Sequence, residues 1–454
     1  MRILSRRWFL ASSGAALAAP ALGAPRAAPV TDVPRSGWVD AVVVGAGAAG
    51  IAAGRRLAAA GKRFVVLEAA DEVGGRCITD TKTFGIPYDR GARWIYAADI
   101  NPLAKLGMQS GLDIYAAPPG QRMRIGRRYA REGEMEDFLA SLVRANTAIA
   151  DAARKSDVAC AQALPKELGE WRPTIEFVLG PYGCSKELSD VSTADLSRSG
   201  ERDNNAFCRQ GYGALLAKLA VSLPILSATP VKTIEWWSRA RIEVDTPKGQ
   251  FRTGAVILTV STNVLTSGKL RLEPELPKRH VEAATKLKLG SRDHVALELT
   301  GNPLGLRADE LVFEKSESKQ TAAILANVSG STICVIEVGG NFGRDLAAKG
   351  EAAMIDFGIN WLGGLYGTDV KSIVKRRHAT RWNNEPWVLG ATSAAAPGAQ
   401  SARRVLAEPL RDRIFLAGEA THETLWGTVN GAWESGERAA GAVVKLLGGP
   451  SKRG

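Results

Sequence analysis

Three stretches of this chain carry residue types that could bind and turn over a ligand. Gly45-Ala46-Gly47-Ala48-Ala49-Gly50 sets three glycines at the spacing G-x-G-x-x-G. At that spacing Gly45 allows a tight turn, Gly47 lets the backbone approach a pyrophosphate, and Gly50 lets a helix lie close against a sheet. Ala48 and Ala49 complete the same turn without bulky side chains. Glu68 follows 18 residues past Gly50, where a carboxylate can accept hydrogen bonds from ribose hydroxyls. The second stretch, Asp71-Glu72-Val73-Gly74-Gly75-Arg76, adds two uncovered backbone amides and a cation just after that acid. The third lies far away, as Gly418-Glu419 and Gly427-Thr428-Val429-Asn430-Gly431.

These residues need elements to hold them. Ala41-Val42-Val43-Val44 is an apolar run of buried-strand type, and a helix-favouring stretch follows the glycines to Ala60. A second strand, Phe64-Val65-Val66-Leu67, ends at Glu68. Strand, glycine turn, helix, strand and acid come in the order that a dinucleotide-binding α/β fold requires. Near the other end Arg413–Ala417 reads as a strand, and Gly427–Ala432 opens a helix running to about Leu447. The partial positive charge of that helix N-terminus favours an anion placed before it.

The composition bounds the rest. A chain of 454 residues, 45% hydrophobic and 23% charged, can bury two domains with a large core. No apolar run reaches the ~18 residues of a spanning helix, so no stable membrane span is expected. The formal charge is +12, but the positive residues are scattered and no basic block is interleaved with aromatics, which excludes nucleic acid as a partner. Five cysteines, Cys77, Cys160, Cys184, Cys208 and Cys334, show no metal-ligand spacing, and no metal site is expected. Cys160 and Cys184 fall in one region, yet the odd number supports no assigned disulfide.

The first residues read as an address. Ser5-Arg6-Arg7-Trp8-Phe9-Leu10 precedes an Ala/Gly-rich stretch to about Ala24, which resembles a twin-arginine export signal over residues 1–24. Cleavage could follow Ala21, Gly23 or Ala24. The twin-arginine translocation machinery moves folded proteins, which suits a chain that must hold a non-covalent cofactor before crossing. The expected location is the periplasm.

Taken with Gly91-Ala92-Arg93-Trp94, Gln210-Gly211-Tyr212-Gly213, Trp382…Pro386-Trp387 and Ser435-Gly436, these stretches resemble the flavin monoamine oxidase family from about Asp40 to Val444. The resemblance implies an α/β fold, with a Rossmann-like FAD-binding domain (GR2-type) carrying an inserted α+β substrate domain. The FAD domain would comprise residues 38–98, 206–262 and 381–448, and the substrate domain 99–205 and 263–380. It further implies that FAD meets Gly74, Gly75 and Arg76 at the pyrophosphate and the Val231 backbone at the adenine. Arg93, Trp94, Gly418, Glu419, Thr428 and Val429 are likewise expected at the cofactor, and Trp387 beside the flavin. The implied reaction takes a hydride equivalent from the carbon bearing an amine and passes the electrons to oxygen or to a periplasmic acceptor.

The sequence departs from that family at four places. Where relatives carry a lysine that holds a water near flavin N5, alignment places His294, which could hold the water and titrate near neutral pH. Where many amine oxidases flank the substrate nitrogen with two aromatic rings, Thr392 and Thr428 stand. Ala391 occupies the place of the cysteine that attaches FAD covalently in mammalian monoamine oxidases, so FAD should be bound non-covalently. Trp94 occupies the place of the arginine that L-amino acid oxidases use for a carboxylate, which favours an amine without one. The threonines leave open a non-amine substrate of an FAD-dependent oxidation or desaturation, and His294 leaves open a flavin-binding partner protein without catalysis.

Overall fold

The structure is a computed structural model that describes residues 33–200, 203–367 and 369–448. The export segment expected over residues 1–24 lies outside the described residues. The elements that position the site are, in chain order, β1 (Gly37–Val44), α1 (Ala48–Ala59), β2 (Phe64–Leu67), β3 (Gly249–Leu258), β4 (Arg292–Leu299), β5 (Ile333–Gly339), α2 (Glu351–Tyr366), β6 (Val374–Ala379), β7 (Ile414–Leu416) and α3 (Val429–Leu447).

One eight-stranded sheet is built on β1, whose residues Ala41 to Val44 are buried between two parallel neighbours. Val42 stands opposite Val65 of β2 on one side and Val256 of β3 on the other. Parallel strands covered on both faces need apolar residues at every position, which is why Val42-Val43-Val44 shows no alternation. The far half of β3 takes β7 as a further parallel partner, so the two ends of the chain meet in one sheet. The near half of β3 closes an antiparallel meander with Ile242–Thr246 and Thr233–Glu235. Helix α1 leaves the sheet at the glycine turn and packs beside α3. A Cβ at Gly50 would lie 1.8 Å from the Gly45 carbonyl oxygen, so only glycine lets the helix start there.

The second sheet has seven strands in the order β6, β4, β5, Ala323–Ala326, Glu310–Glu314, Arg122–Ile125, Arg128–Tyr129. Its two faces differ because side chains alternate along a strand. Val295, Leu297, Ile336 and Val338 point to one face and pack with Met354 and Leu362 of α2. Each such side chain contributes about 1.5–3 kcal/mol by leaving water. The alternate positions, His294, Ala296, Val335 and Glu337, turn to the other face, towards the glycine turn of the first sheet. Beside the second sheet lies a helical part, residues 132–197, whose core gathers Phe138, Leu142 and Ile175 with Met123 and Phe313 of that sheet and with Trp426. There Arg403 and Asp195, both fully buried, form a bidentate pair of 2.6 and 2.7 Å that ties the helical part to the C-terminal segment.

Candidate active site

The first wall of the site is main chain. Gly74 N donates to the Ala46 carbonyl at 2.9 Å, joining the second glycine segment to the first. Glu68, at the end of β2, accepts from Ala46 N at 2.6 Å through one oxygen and from Ala70 N at 2.8 Å through the other. Burial raises its pKa, and those amides oppose the rise. A Cβ placed at Gly47 would meet its nearest protein atoms only at 3.8 Å, and one at Gly418 would meet none within 4 Å. Packing therefore does not require glycine at Gly47, where a side chain would enter the hollow in front of it, whereas the φ of +137° at Gly418 itself calls for glycine. That hollow fits an extended anionic ligand lying against backbone amides, as a dinucleotide does.

The C-terminal segment closes the hollow. Thr428 caps α3: its hydroxyl accepts from Gly431 N at 3.0 Å and donates to the Leu425 carbonyl at 2.6 Å. Val429, the first residue of α3, lines the same hollow. Glu419 is a knot beneath it. Its carboxylate accepts from Arg76 Nη1 at 2.9 Å, Ser393 Oγ at 2.7 Å and Gly427 N at 2.8 Å. Burial opposes ionisation of Glu419, but the Arg76 charge, Ser393 and Arg403 outweigh it and hold the carboxyl below its ordinary value. Arg76 also donates to the Ala391 carbonyl, so the glycine segment, the 391–393 turn and the start of α3 are fixed to one another.

The opposite wall is made of side chains on β4, β5 and β6. His294 stands directly across from Glu337. Arg292, two residues before His294 and therefore on the same face, reaches diagonally to Glu337 with Nε at 2.6 Å and with Nη2. The third guanidinium nitrogen donates to the Tyr182 carbonyl at 2.8 Å. His294 is 8% exposed and its Nδ1 has no partner within the protein. Burial, foremost, holds its pKa below the ordinary imidazole value, so the ring is neutral at pH 7. On the other face of the same strand, Asp293 accepts from Thr380 Oγ1 at 2.9 Å and from Trp382 N at 2.8 Å, which fixes the segment leading to Trp387. Burial raises Asp293 to about 6 against those hydrogen bonds.

One cavity of about 610 Å³ joins the two walls, and every site residue expected from the sequence lines it except Gly50. Gly50 is set back beneath the turn, where its bare Cα admits the Gly45 carbonyl, so its role is packing and not cofactor contact. Arg93 reaches the lining; its Nη2 donates to Asp309 at 2.8 Å and Ser329 at 3.1 Å, its Nε has no partner within the protein, and it lies over the Phe207 ring at 4.5 Å. Trp94 is stacked on Tyr96 with ring centroids 6.5 Å apart. Thr392 shares a hydrogen bond of 2.8 Å with Ser185 Oγ, and Thr428 is occupied by its cap. Trp387 is 39% exposed at the mouth, 5.4 Å from Lys269 Nζ. Among the described residues Lys269 is the one lysine on the lining, and it donates to the Pro386 carbonyl, away from the His294 wall.

Sequence reasoning missed the partners of His294. Arg292 was within reach of a period-two reading of β4. Glu337 was visible as a single carboxylate inside the apolar run Ile333-Cys334-Val335-Ile336-Glu337-Val338-Gly339. The pairing of the two strands, however, had no local mark. The five cysteines are buried as free thiols, and no group of metal-binding side chains forms among the described residues. No described helix is long and apolar enough to cross a membrane.

A family model described as flavin containing amine oxidoreductase matches residues 48–444. The chain is 27% identical, over 92% of its length, to a rice (Oryza sativa subsp. japonica) protein named lysine-specific histone demethylase 1 homolog 2, of which it spans 58%. It is 25% identical, over 88% of its length, to probable polyamine oxidase 4 of Arabidopsis thaliana, of which it spans 86%. Across the first curated relatives it spans a little over half of their length. Among solved structures, cyclohexylamine oxidase from Brevibacterium oxydans IH-35A superposes with a TM-score of 0.75 at 19% identity, covering 90% of this chain and 99% of that one. A putrescine oxidase bound to putrescine gives 0.75 at 20% identity, with 90% and 99% covered. These structures share the fold.

Proposed function

The chain belongs to the flavin containing amine oxidoreductases, and from that premise we propose that it oxidises a carboxylate-free amine at the carbon bearing nitrogen. It is an oxidoreductase acting on amines, and its cofactor is FAD, held without a covalent bond. Ala391 offers no nucleophile for attachment. When bound, FAD would supply the electron sink for a hydride equivalent from the amine carbon, leaving an imine that water would hydrolyse to a carbonyl and a released amine. Everything else is work for the protein.

The observation that carries this reading is the single cavity running from the glycine hollow to the β4–β5 wall. Glu68, Gly47, Gly74, Gly75 and the α3 N-terminus would hold the dinucleotide, and the wall would hold the substrate above the redox ring. His294 presents an uncharged imidazole there, able to accept a proton or orient a water beside the substrate nitrogen. Only a neutral amine can give up hydride, so a group that keeps the proton off nitrogen serves the reaction. The carboxylate-free reading is supported by Trp94, which stands where a carboxylate-binding arginine is expected, and by the pairing of Arg292 with Glu337 and of Arg93 Nη2 with Asp309.

Anaerobic mixing of the flavin-loaded enzyme with a panel of amines and amino acids tests the reading. Loss of oxidised-flavin absorbance with simple amines and not with amino acids is expected. Reduction by amino acids alone would overturn the carboxylate-free assignment. Readmitting air then separates direct oxygen use from transfer to another acceptor. We also propose export to the periplasm by the twin-arginine route, on the strength of Ser5-Arg6-Arg7-Trp8-Phe9-Leu10. Changing Arg6 and Arg7 to lysine should retain the protein in the cytoplasm, and equal periplasmic yields from both forms would refute it.

A further inference from the structure

The Arg292–Glu337 pair lies beside His294, and Arg292 is anchored by the Tyr182 carbonyl at 2.8 Å and by the Tyr182 ring at 4.5 Å. Both residues turn to the cavity face, where a buried ion pair is seldom more stabilising than apolar packing. Glu337 faces His294 across the β4–β5 ladder, and Arg292 precedes His294 by two residues on the same face. An unneutralised carboxylate at that spacing would draw a proton onto the imidazole, and an unneutralised guanidinium would drive it off.

We propose that Arg292 and Glu337 are positioning residues for His294: as an opposed, balanced pair beside the ring they leave burial to keep the imidazole an uncharged acceptor at the substrate wall. This rests on the amine-oxidising reading above, because a cationic ring there would repel a substrate ammonium and could not take its proton.

The surroundings of His294 leave these two as the adjustable charges. From the segment before Trp94, the Asp89 carbonyl favours protonation and the Arg93 guanidinium disfavours it, but Arg93 is itself paired with Asp309 and lies 3.8 Å from the Asp89 carboxylate. On β6 the residue turned to this face is His378, bound to Glu351 at 3.1 Å, while the uncharged Thr380 accepts from the His294 amide through its hydroxyl and donates its own N–H to the His294 carbonyl, both at 2.9 Å. Asp293 and Trp382 hold the other side of the strand through hydrogen bonds. Glu337 and Arg292 are the two largest electrostatic influences on the ring, with opposite sign.

The two charges give the test its direction. The chain has four histidines, so in holoenzyme labelled at the histidine ring carbons the His294 resonance is identified by its loss in His294→Asn. Arg292→Gln should raise the His294 titration midpoint by ~1 pH unit or more, because Glu337 is left unopposed. Glu337→Gln should lower it. The double variant should return it close to wild type, and Arg292→Lys should hold it there. The acid limb of flavin reduction by an amine should move the same way in each variant. If Arg292→Gln loses flavin through misfolding, Glu337→Gln, Arg292→Lys and the double variant carry the comparison. Midpoints that stay put, or move in one direction in both single variants, would overturn the proposal. The resonance shifts do not depend on turnover. Opposite shifts without any amine reducing the flavin would sink the function and spare the charge pair, whereas amine reduction without shifts would do the reverse.

Discussion

The cavity has two walls made of different materials. The one around Gly45, Gly47, Gly74 and Gly418 is main chain: its polar groups are amides, and its shape comes from side chains that are missing. The one on β4, β5 and β6 is all side chain, with His294, Arg292, Glu337 and Thr380 held in place by pairing between strands up to 86 residues apart. A main-chain wall suits a cofactor, whose pyrophosphate presents the same atoms in every member of a fold family. A side-chain wall suits a substrate, because one substitution changes it without moving the sheet. The contrast predicts that damage to the first wall shows in flavin content and damage to the second in rate.

The largest effects should come from two glycines three residues apart. Gly50→Val drives a side chain into the Gly45 carbonyl, which a Cβ would meet at 1.8 Å, so α1 cannot start and the chain should be recovered insoluble or without a cooperative melt. At Gly47 a Cβ meets Gly74 O and Gly75 Cα only at 3.8 Å, an ordinary contact, so the Gly47→Val apoprotein should keep its circular dichroism and melting temperature. Its flavin, read from the visible-to-ultraviolet absorbance ratio, should fall at least ~10-fold, as expected when ~1.4 kcal/mol or more of binding is lost. Equal unfolding in both variants would show that the hollow at Gly47 is packing after all.

A smaller effect tests whether the first wall is held by charge as well as by turns. Arg76→Met leaves Glu419 buried beside Ser393 without its nearest cation. Breaking such a pair costs about 3–5 kcal/mol, measurable by urea unfolding at pH 7. The sign with pH follows from Glu419, whose carboxyl is held below its ordinary value in the folded protein. Its contribution is present above the unfolded carboxylate value and is lost as pH falls through the lowered folded one. The gap between wild type and variant should therefore shrink on acidification. A gap independent of pH would assign the loss to packing of the arginine stem.

The same division decides what could be read from the chain without a structure. Gly45 to Gly50, Glu68 and Gly74 to Arg76 lie within 32 residues, and each glycine answers a local demand, so the order of the elements identified the fold and the cofactor. The helix ending at Leu447 was legible for the same reason. The wall was only half legible. His294 could be placed by resemblance, but its neighbours Glu337 and Thr380 are set by strand register, which has no signature in a single sequence. Arg93 shows the limit from the other side. Beside Trp94 it is expected at the cofactor, and it does line the cavity, yet its Nη2 is drawn to Asp309, far along the chain.

The smallest expected effect belongs to neither wall. Trp387 stands at the mouth, 39% exposed, with Lys269 5.4 Å from its ring. A half-exposed cation–π contact of this kind is worth about 0.5–1 kcal/mol, so Trp387→Ala should shift the melting temperature little and leave flavin content unchanged. If the ring only guides an amine inward, KM should rise a few-fold with kcat intact, because the contact is made equally before and during the reaction. If kcat falls instead and KM stays put, the ring touches the substrate in the transition state. Trp387 would then join His294 on the side-chain wall, and the boundary between guiding and reacting residues would move from the cavity's depth to its mouth.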